Sequence, residues 1–205
     1  MLALPPLRLA NDGSEARFTT RVELAWDEAG LEVIFTCQDE DAWSTFLHHD
    51  DPLWQEEAVE VFLAVGAADP QVYYEVELSP RGVTFDARVE NPDSLRATMK
   101  VDTGWSWQGL AAAVRQLPER QDWQARLFLP WQGLGQATPP PILRANFYRI
   151  ERPRQGQAEF SCWSPTRKDP PDFHQPQHFG TLLLEGLSAS EEGPEPIAKV
   201  PRRPR

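Results

Sequence analysis

Apolar and polar residues alternate with period two along most of this chain, which divides it into short strands separated by turn residues. The sharpest run is Ala58–Val65, where Val59, Val61, Leu63 and Val65 share one side and Glu60, Phe62 and Ala64 the other. Val72–Pro80 sends Tyr74, Val76 and Leu78 toward a core and leaves Tyr73, Glu75 and Glu77 facing out. Val83–Glu90 repeats the pattern with Val83, Phe85, Ala87 and Val89 inward, so three successive strands are expected to present an acidic outer face. Upstream, Phe18–Trp26 and Leu31–Asp39 read as a hairpin around Asp27–Gly30, with Leu31, Val33, Phe35 and Cys37 inward. Weaker strands follow at Ala97–Val101 and Leu110–Leu117, and a firm one at Asp122–Trp131 loses its ladder at Pro130. Ile142–Arg152, Phe160–Thr166 and Phe179–Glu185 complete the set.

No long helical period interrupts these runs. About ten or eleven short strands with regular turn signals predict an all-β fold, an antiparallel β-sandwich of jelly-roll or immunoglobulin-like character. The expected core comprises Val59, Val61, Leu63, Tyr74, Val76, Leu78, Phe85, Leu127, Leu129, Phe147 and Leu183. Residues 1–187 form one predicted domain, and 188–205, rich in Ser, Glu, Gly and Pro with the basic end VPRRPR, are expected to be a disordered tail.

Candidate chemistry concentrates where the acidic loop Gln38–Leu53 enters the Ala58–Val65 strand. Pro52 turns the loop so that Trp54 lies just outside that strand, beside Glu60 on the non-aliphatic side. An aromatic plate next to a carboxylate suits a sugar: the ring stacks on the C–H face of a pyranose and the carboxylate accepts from vicinal hydroxyls.

Composition narrows the partners. The 205 residues are 40% hydrophobic and 25% charged, ordinary for a globular domain. Eight tryptophans against three tyrosines exceed what a core of this size must contain, so some are expected at a surface site. The net charge of −11 speaks against a nucleic-acid partner. No apolar run approaches the length of a membrane span, and MLALPPLRLANDG, broken by two prolines, does not read as an export signal. No membrane partner and a cytoplasmic location are the expectations, with the oligomeric state open. Cys37 and Cys162 show no metal or redox spacing; two buried thiols are the default and a single bridge stays open.

The segments LWQEEAVEVF (53–62), YYEVELSPRGVTFDAR (73–88), RANFYRIE (144–151), CWSPT (162–166) and DFHQPQHFGTLLLE (172–185), in this order and spacing, resemble the family 9 carbohydrate-binding modules. These belong to the DOMON-like β-sandwich group related to polysaccharide-degrading enzymes, and the likeness covers roughly residues 12–185. The resemblance implies a carbohydrate ligand whose terminal sugar is held between two rings, matched here by Trp54 and Phe173. It further implies sugar contacts from Glu60 and Arg149. Two positions depart from the family pattern: the second ring is Phe173 rather than Trp, and Glu75 stands where the family has a cation. No organic cofactor is implied, but the family carries structural calcium, for which Asp39, Asp41, Asp50 and Asp51 offer oxygen donors.

Glu56, Glu57, Glu60, Glu75 and Glu77 could supply a glycosidase pair, though a solvated acidic face is the commoner meaning of such a run and the resemblance is to a non-catalytic module. His174 and His178 lie on a non-helical loop without diagnostic metal spacing. A β-sandwich interaction domain with a drifted pocket is the alternative of a different class. A haem-binding DOMON-type domain is disfavoured, because Met1 and Met99 are the sole methionines and neither lies in a matching context.

Overall fold

The computed structural model describes residues 1–188 and 193–204. Its strands in chain order begin with β1 (Leu2–Ala3), β2 (Arg8–Leu9), β3 (Thr20–Trp26), β4 (Gly30–Gln38) and β5 (Ala58–Val65). They continue with β6 (Val72–Leu78), β7 (Thr84–Glu90), β8 (Lys100–Asp102), β9 (Ala111–Leu117) and β10 (Asp122–Pro130). The last are β11 (Ile142–Glu151), β12 (Glu159–Cys162), β13 (Gly180–Leu184) and β14 (Ile197–Val200). Five of the fourteen, β1, β2, β8, β12 and β14, have only two to four residues, and β1, β2 and β14 are too short to leave an alternation signal.

The strands form a sandwich. One sheet runs β1-β3-β4-β10-β9, and the second β14-β13-β11-β5-β6-β7-β8, with β12 off its path beside β11 and β2 beside β12. The β3–β4 hairpin is closed by Asp27, whose Oδ1 accepts from Ala29 N at 2.8 Å and Gly30 N at 3.1 Å. Between the sheets lies the main core: Val22, Leu24, Leu31, Val33, Phe35 and Cys37 meet Val59, Val61, Leu63, Val76, Leu78 and Phe147. The inward row expected for β4 is therefore correct. Cys37 belongs to this core while Cys162 lies in a different cluster, and both are free thiols pushed up to about 12 by burial.

Three expectations need correction. The acidic face of β5 and β6 is not solvated: Glu60, Glu75 and Glu77 are 2%, 5% and 0% exposed. The second sheet is covered on both faces, and its far side carries a second apolar cluster of Phe62, Tyr73, Val89, Tyr148, Ile150, Phe173 and Phe179. Phe85 is buried on that far side, because it pairs with Glu77, while Asp86 takes the core-facing place opposite Val76. On β13 the core residues are Leu182 and Leu184, and Leu183 lies half-buried between them.

The third correction concerns the expected tail. Residues 189–192 and 205 lie outside the described residues, but Ile197–Val200 forms β14, paired in parallel with β13. Ala198 and Val200 join the main core, and the Trp26 indole donates to Val200 O at 3.0 Å. A Cβ on Gly180 would meet Trp163 at 2.4 Å and Pro196 O at 2.8 Å, so β13 must start with glycine for the segment to dock this closely. Four residues with one lysine carry too little pattern to show this in sequence.

Removing residues 188–205 should therefore lower the thermal midpoint. Val200 loses a burial worth about 1.5–3 kcal/mol, and the Trp26 N–H is left without its acceptor at a cost of about 1–3 kcal/mol. At roughly 2–4 °C per kcal/mol for a chain of this size the fall should be at least about 5 °C. Differential scanning calorimetry of the truncated chain measures it, and an unchanged midpoint would mean that β14 adds nothing.

Candidate functional site

Ladder register assembles the site on the far face of the second sheet. Glu60 pairs with Glu77 and Phe62 with Glu75, and across β11 Glu60 pairs with Tyr148. Three carboxyls from two neighbouring strands thereby share one face, with oxygens within 4.8 Å of one another. Over them opens a cavity of about 430 Å³, walled by Trp54, Phe85, Ile150, Phe160, Phe173 and the loop that carries Arg96 and Met99. Four of the five residues expected to hold a sugar, Trp54, Phe173, Glu60 and Glu75, line it.

Trp54 gets there through a 3-10 turn, Leu53–Gln55, preceded by Pro52. One turn residue, Leu53, is fully buried, while Trp54 is 43% exposed and stands edge-on to Phe85 with ring centroids 5.2 Å apart. Of the eight tryptophans it alone is exposed. Glu56 and Glu57 hold the preceding loop in place: Glu56 accepts from Ser44 Oγ at 2.9 Å and Thr45 N at 2.6 Å, and Glu57 from Trp43 N at 2.9 Å. Phe173 is fixed from below. Its ring stacks on Tyr148 at 4.3 Å, and the Tyr148 hydroxyl donates to Phe173 O at 3.0 Å. Phe173 is 7% exposed, so it is a covered wall where Trp54 is an open one.

Arg149 is not in the cavity. It pairs with Val59 and so points to the opposite face, as its parity with Phe147 dictates. There it donates to Gln38 O at 2.8 Å and Asp39 at 3.0 Å, and it also pairs with Glu151. Glu57 joins this buried group and is pushed up to about 9, chiefly by burial and further by Asp39 and Glu151; Glu151 is raised to about 7 for the same leading reason.

The four aspartates considered for calcium do not converge either. Asp39 is held by Arg149 and Asp41 by Arg154 at 2.6 Å. Asp50 lies against β7, with His49 3.3 Å away, and Asp51 accepts from Leu47 N and His48 N at 3.0 and 2.8 Å. As a set they do not fit one ion, which would need six to eight oxygens around it.

Sequence reasoning missed several wall residues. Arg96 reaches the rim from the loop after β7 and donates to Asp172 Oδ1 through Nε at 2.9 Å and Nη2 at 2.7 Å. Arg152 donates to Trp54 O at 3.2 Å and covers Phe160. His174 lines the cavity beside Glu75, with Nδ1 2.7 Å from the Tyr73 hydroxyl. Ile150 was within reach of pattern analysis, since it shares parity with Tyr148; the loop residues carry no periodic signal.

Electrostatically the floor is a box of acids. Burial pushes Glu60 and Glu77 well above the usual carboxylate range, with Glu75 raising Glu60 further and Glu60 and Glu75 raising Glu77; Glu75 is held at about 7, again mainly by burial. His174 is driven down to about 3 by burial and then by Arg96, so it stays neutral and offers no compensation.

The comparisons with known proteins come to the same place. The profile of carbohydrate-binding family 9 matches residues 14–184. A candidate carbohydrate-binding protein from Bacteroides uniformis ATCC 8492 superposes with a TM-score of 0.71 at 16% identity, over 90% of this chain and 87% of that one. A family 9 module from Caldicellulosiruptor kristjanssonii, solved with glucose, gives 0.57 at 16% identity over 92% and 87%. A family 9 module from the same organism, solved with cellotriose, gives 0.59 at 15% identity over 93% and 87%. In sequence, 83 residues are 34% identical to an "Extracellular protein" of Arthroderma benhamiae, a stretch that spans 38% of this chain and 36% of that relative.

Two outcomes follow from the charges. Glu57, Glu60, Glu75 and Glu77 keep protons in the folded state that the unfolded chain releases above about 4.5. Their contribution is complete below that value and is lost as pH rises through the folded values, so the thermal midpoint should fall between pH 7 and 9. On the acid side His174 and the lowered Glu56 act in the opposite sense. Glu77→Gln should flatten the alkaline fall, as followed by circular dichroism melts across that range. Arg149→Met, by contrast, leaves Asp39 and Glu151 buried without their cation and should cost about 3–5 kcal/mol in urea denaturation.

Proposed function

Because the chain belongs to carbohydrate-binding family 9, we propose that the cavity beside Trp54 holds a terminal sugar of a mono- or oligosaccharide and binds it without cleaving it. One observation carries this reading: the single exposed tryptophan of eight opens onto a cavity of about 430 Å³ whose floor is carboxyl groups. A pyranose has two weakly polar faces and a polar rim. Trp54 offers a plate for one face, Phe173 and Phe160 an apolar wall, and Glu60 with Glu75 the acceptors for hydroxyls. The related modules solved with glucose and with cellotriose support a ligand of this class.

Arg149 has no part in this reading, since it lies across the sheet. Hydrolysis is disfavoured on geometry: catalysis needs carboxyls flanking the scissile bond, whereas Glu60, Glu75 and Glu77 all rise from one sheet and so lie on one side of any ring in the cavity.

Stacking adds about 0.5–1.5 kcal/mol per ring and a hydrogen bond to a neutral carboxyl about 0.5–1.5 kcal/mol, set against the entropy of association. Micromolar to millimolar affinity follows. Trp54→Ala should weaken binding at least tenfold, about 1.4 kcal/mol, in a calorimetric titration with the best sugar from a panel of mono- and oligosaccharides. No binding across the panel at millimolar concentration, or full affinity in Trp54→Ala, would replace this reading by that of an interaction domain.

A further inference from the structure

Resting on the sugar reading, we propose that this cavity selects a positively charged sugar: an amino sugar whose free ammonium sits on Glu60 and Glu75, which line the cavity, with Glu77 buried behind them. Glu60, 2% exposed, lines the cavity with one oxygen that meets no donor, and Glu77, completely buried behind it, meets no N–H or hydroxyl donor and has only the neighbouring carboxyl of Glu75 for a side-chain partner. Such acceptors are costly to leave unmade. No nearby group relieves them. Arg96 at the rim is committed to Asp172 by two hydrogen bonds and its side chain is 56% exposed. Arg152 is spent on Trp54 O and the Phe160 ring. His174 Nε2 lies 3.9 Å from Glu75, but the ring is neutral, and Tyr73, its other neighbour, keeps its proton.

A neutral sugar brings hydroxyls but no charge, so the box would have to stay protonated beneath it. An ammonium brings three donors and the missing charge. A divalent ion is the competing cation, and the surroundings suit it less. The strand carbonyls are engaged in the ladder, and the side chains paired with Glu75 and Glu77 across the strands include Phe62 and Phe85. Calcium takes six to eight oxygens, and of these carboxyls only Glu60 and Glu75 reach the cavity, where apolar side chains dominate the wall. The cavity above is large and aromatic, shaped for an organic ring.

The test is calorimetric titration of the full chain with glucosamine, glucose and N-acetylglucosamine near neutral pH with EDTA, each in two buffers of different ionisation enthalpy. Glucosamine should bind at least tenfold more tightly than the other two, and it alone should release protons as the carboxyls ionise. Glu75→Gln should narrow that preference to about threefold or less; if the variant does not fold, the wild-type ratio and the proton release still decide. Equal affinity for all three sugars would overturn the ammonium site and leave the sugar reading intact. Calcium binding in the absence of EDTA with no response to glucosamine would make the trio a metal site and overturn it. Binding of none of the three sugars would overturn it as well, and the broader panel decides whether the sugar reading falls too.

Discussion

A sheet buried on both faces has to satisfy two sets of side chains with one alternating sequence, and this requirement shapes the second sheet here. Odd-numbered positions of β5 and β11, Val59, Val61 and Leu63 beside Phe147, face the first sheet. Even-numbered ones, Glu60 and Phe62 beside Tyr148, face a roof built by the 172–179 loop. The first face is an ordinary aliphatic core. The second mixes aromatic rings with three carboxyls, and it is the place where the structure tolerates poorly solvated charge.

That tolerance is organised. The rings of Phe62, Tyr73, Tyr148, Phe173 and Phe179 pack against each other at centroid distances of 4.3–6.1 Å and exclude water on one side of the acids. On the other side the face opens into the cavity between Trp54 and Phe173. On the proposed function, stability and recognition compete at the same residues, as where a binding site is cut into a folded core. A second charged group, Arg149 with Asp39, Glu57 and Glu151, sits near the other side of the sheet but is internally paired, and it serves the fold.

Much of this was legible in the sequence. Strand existence, the β3–β4 hairpin and the core rows of β4, β5 and β10 follow from alternation, because in these strands one face is strictly apolar. The link between Trp54 and Glu60 was visible for the same reason. Face assignment failed for the β7 row of Phe85, Ala87 and Val89, a clean apolar alternation that packs on the cavity side and not in the main core, and for Arg149, which the resemblance alone placed at the sugar. Parity with Phe147 was the better guide for Arg149. The burial of Glu60, Glu75 and Glu77 was not legible, since it comes from a loop more than 90 residues away in sequence, which carries no period. β14 was hidden by its length and by the composition around it.

Strand β14 also ties the two halves of the sandwich. It pairs with β13 of the second sheet, and just beyond it Pro201 O accepts from Trp26 N at 3.2 Å while Arg203 N donates to Trp26 O at 2.7 Å, both on the first sheet. A pull applied to this end of the chain would thus be carried by both sheets at once. Because β14 runs parallel to β13, the load falls along the strand pair as shear, with the inter-strand hydrogen bonds sharing it rather than opening one after another. The segment that looks most like a loose end in composition is, mechanically, a fastening.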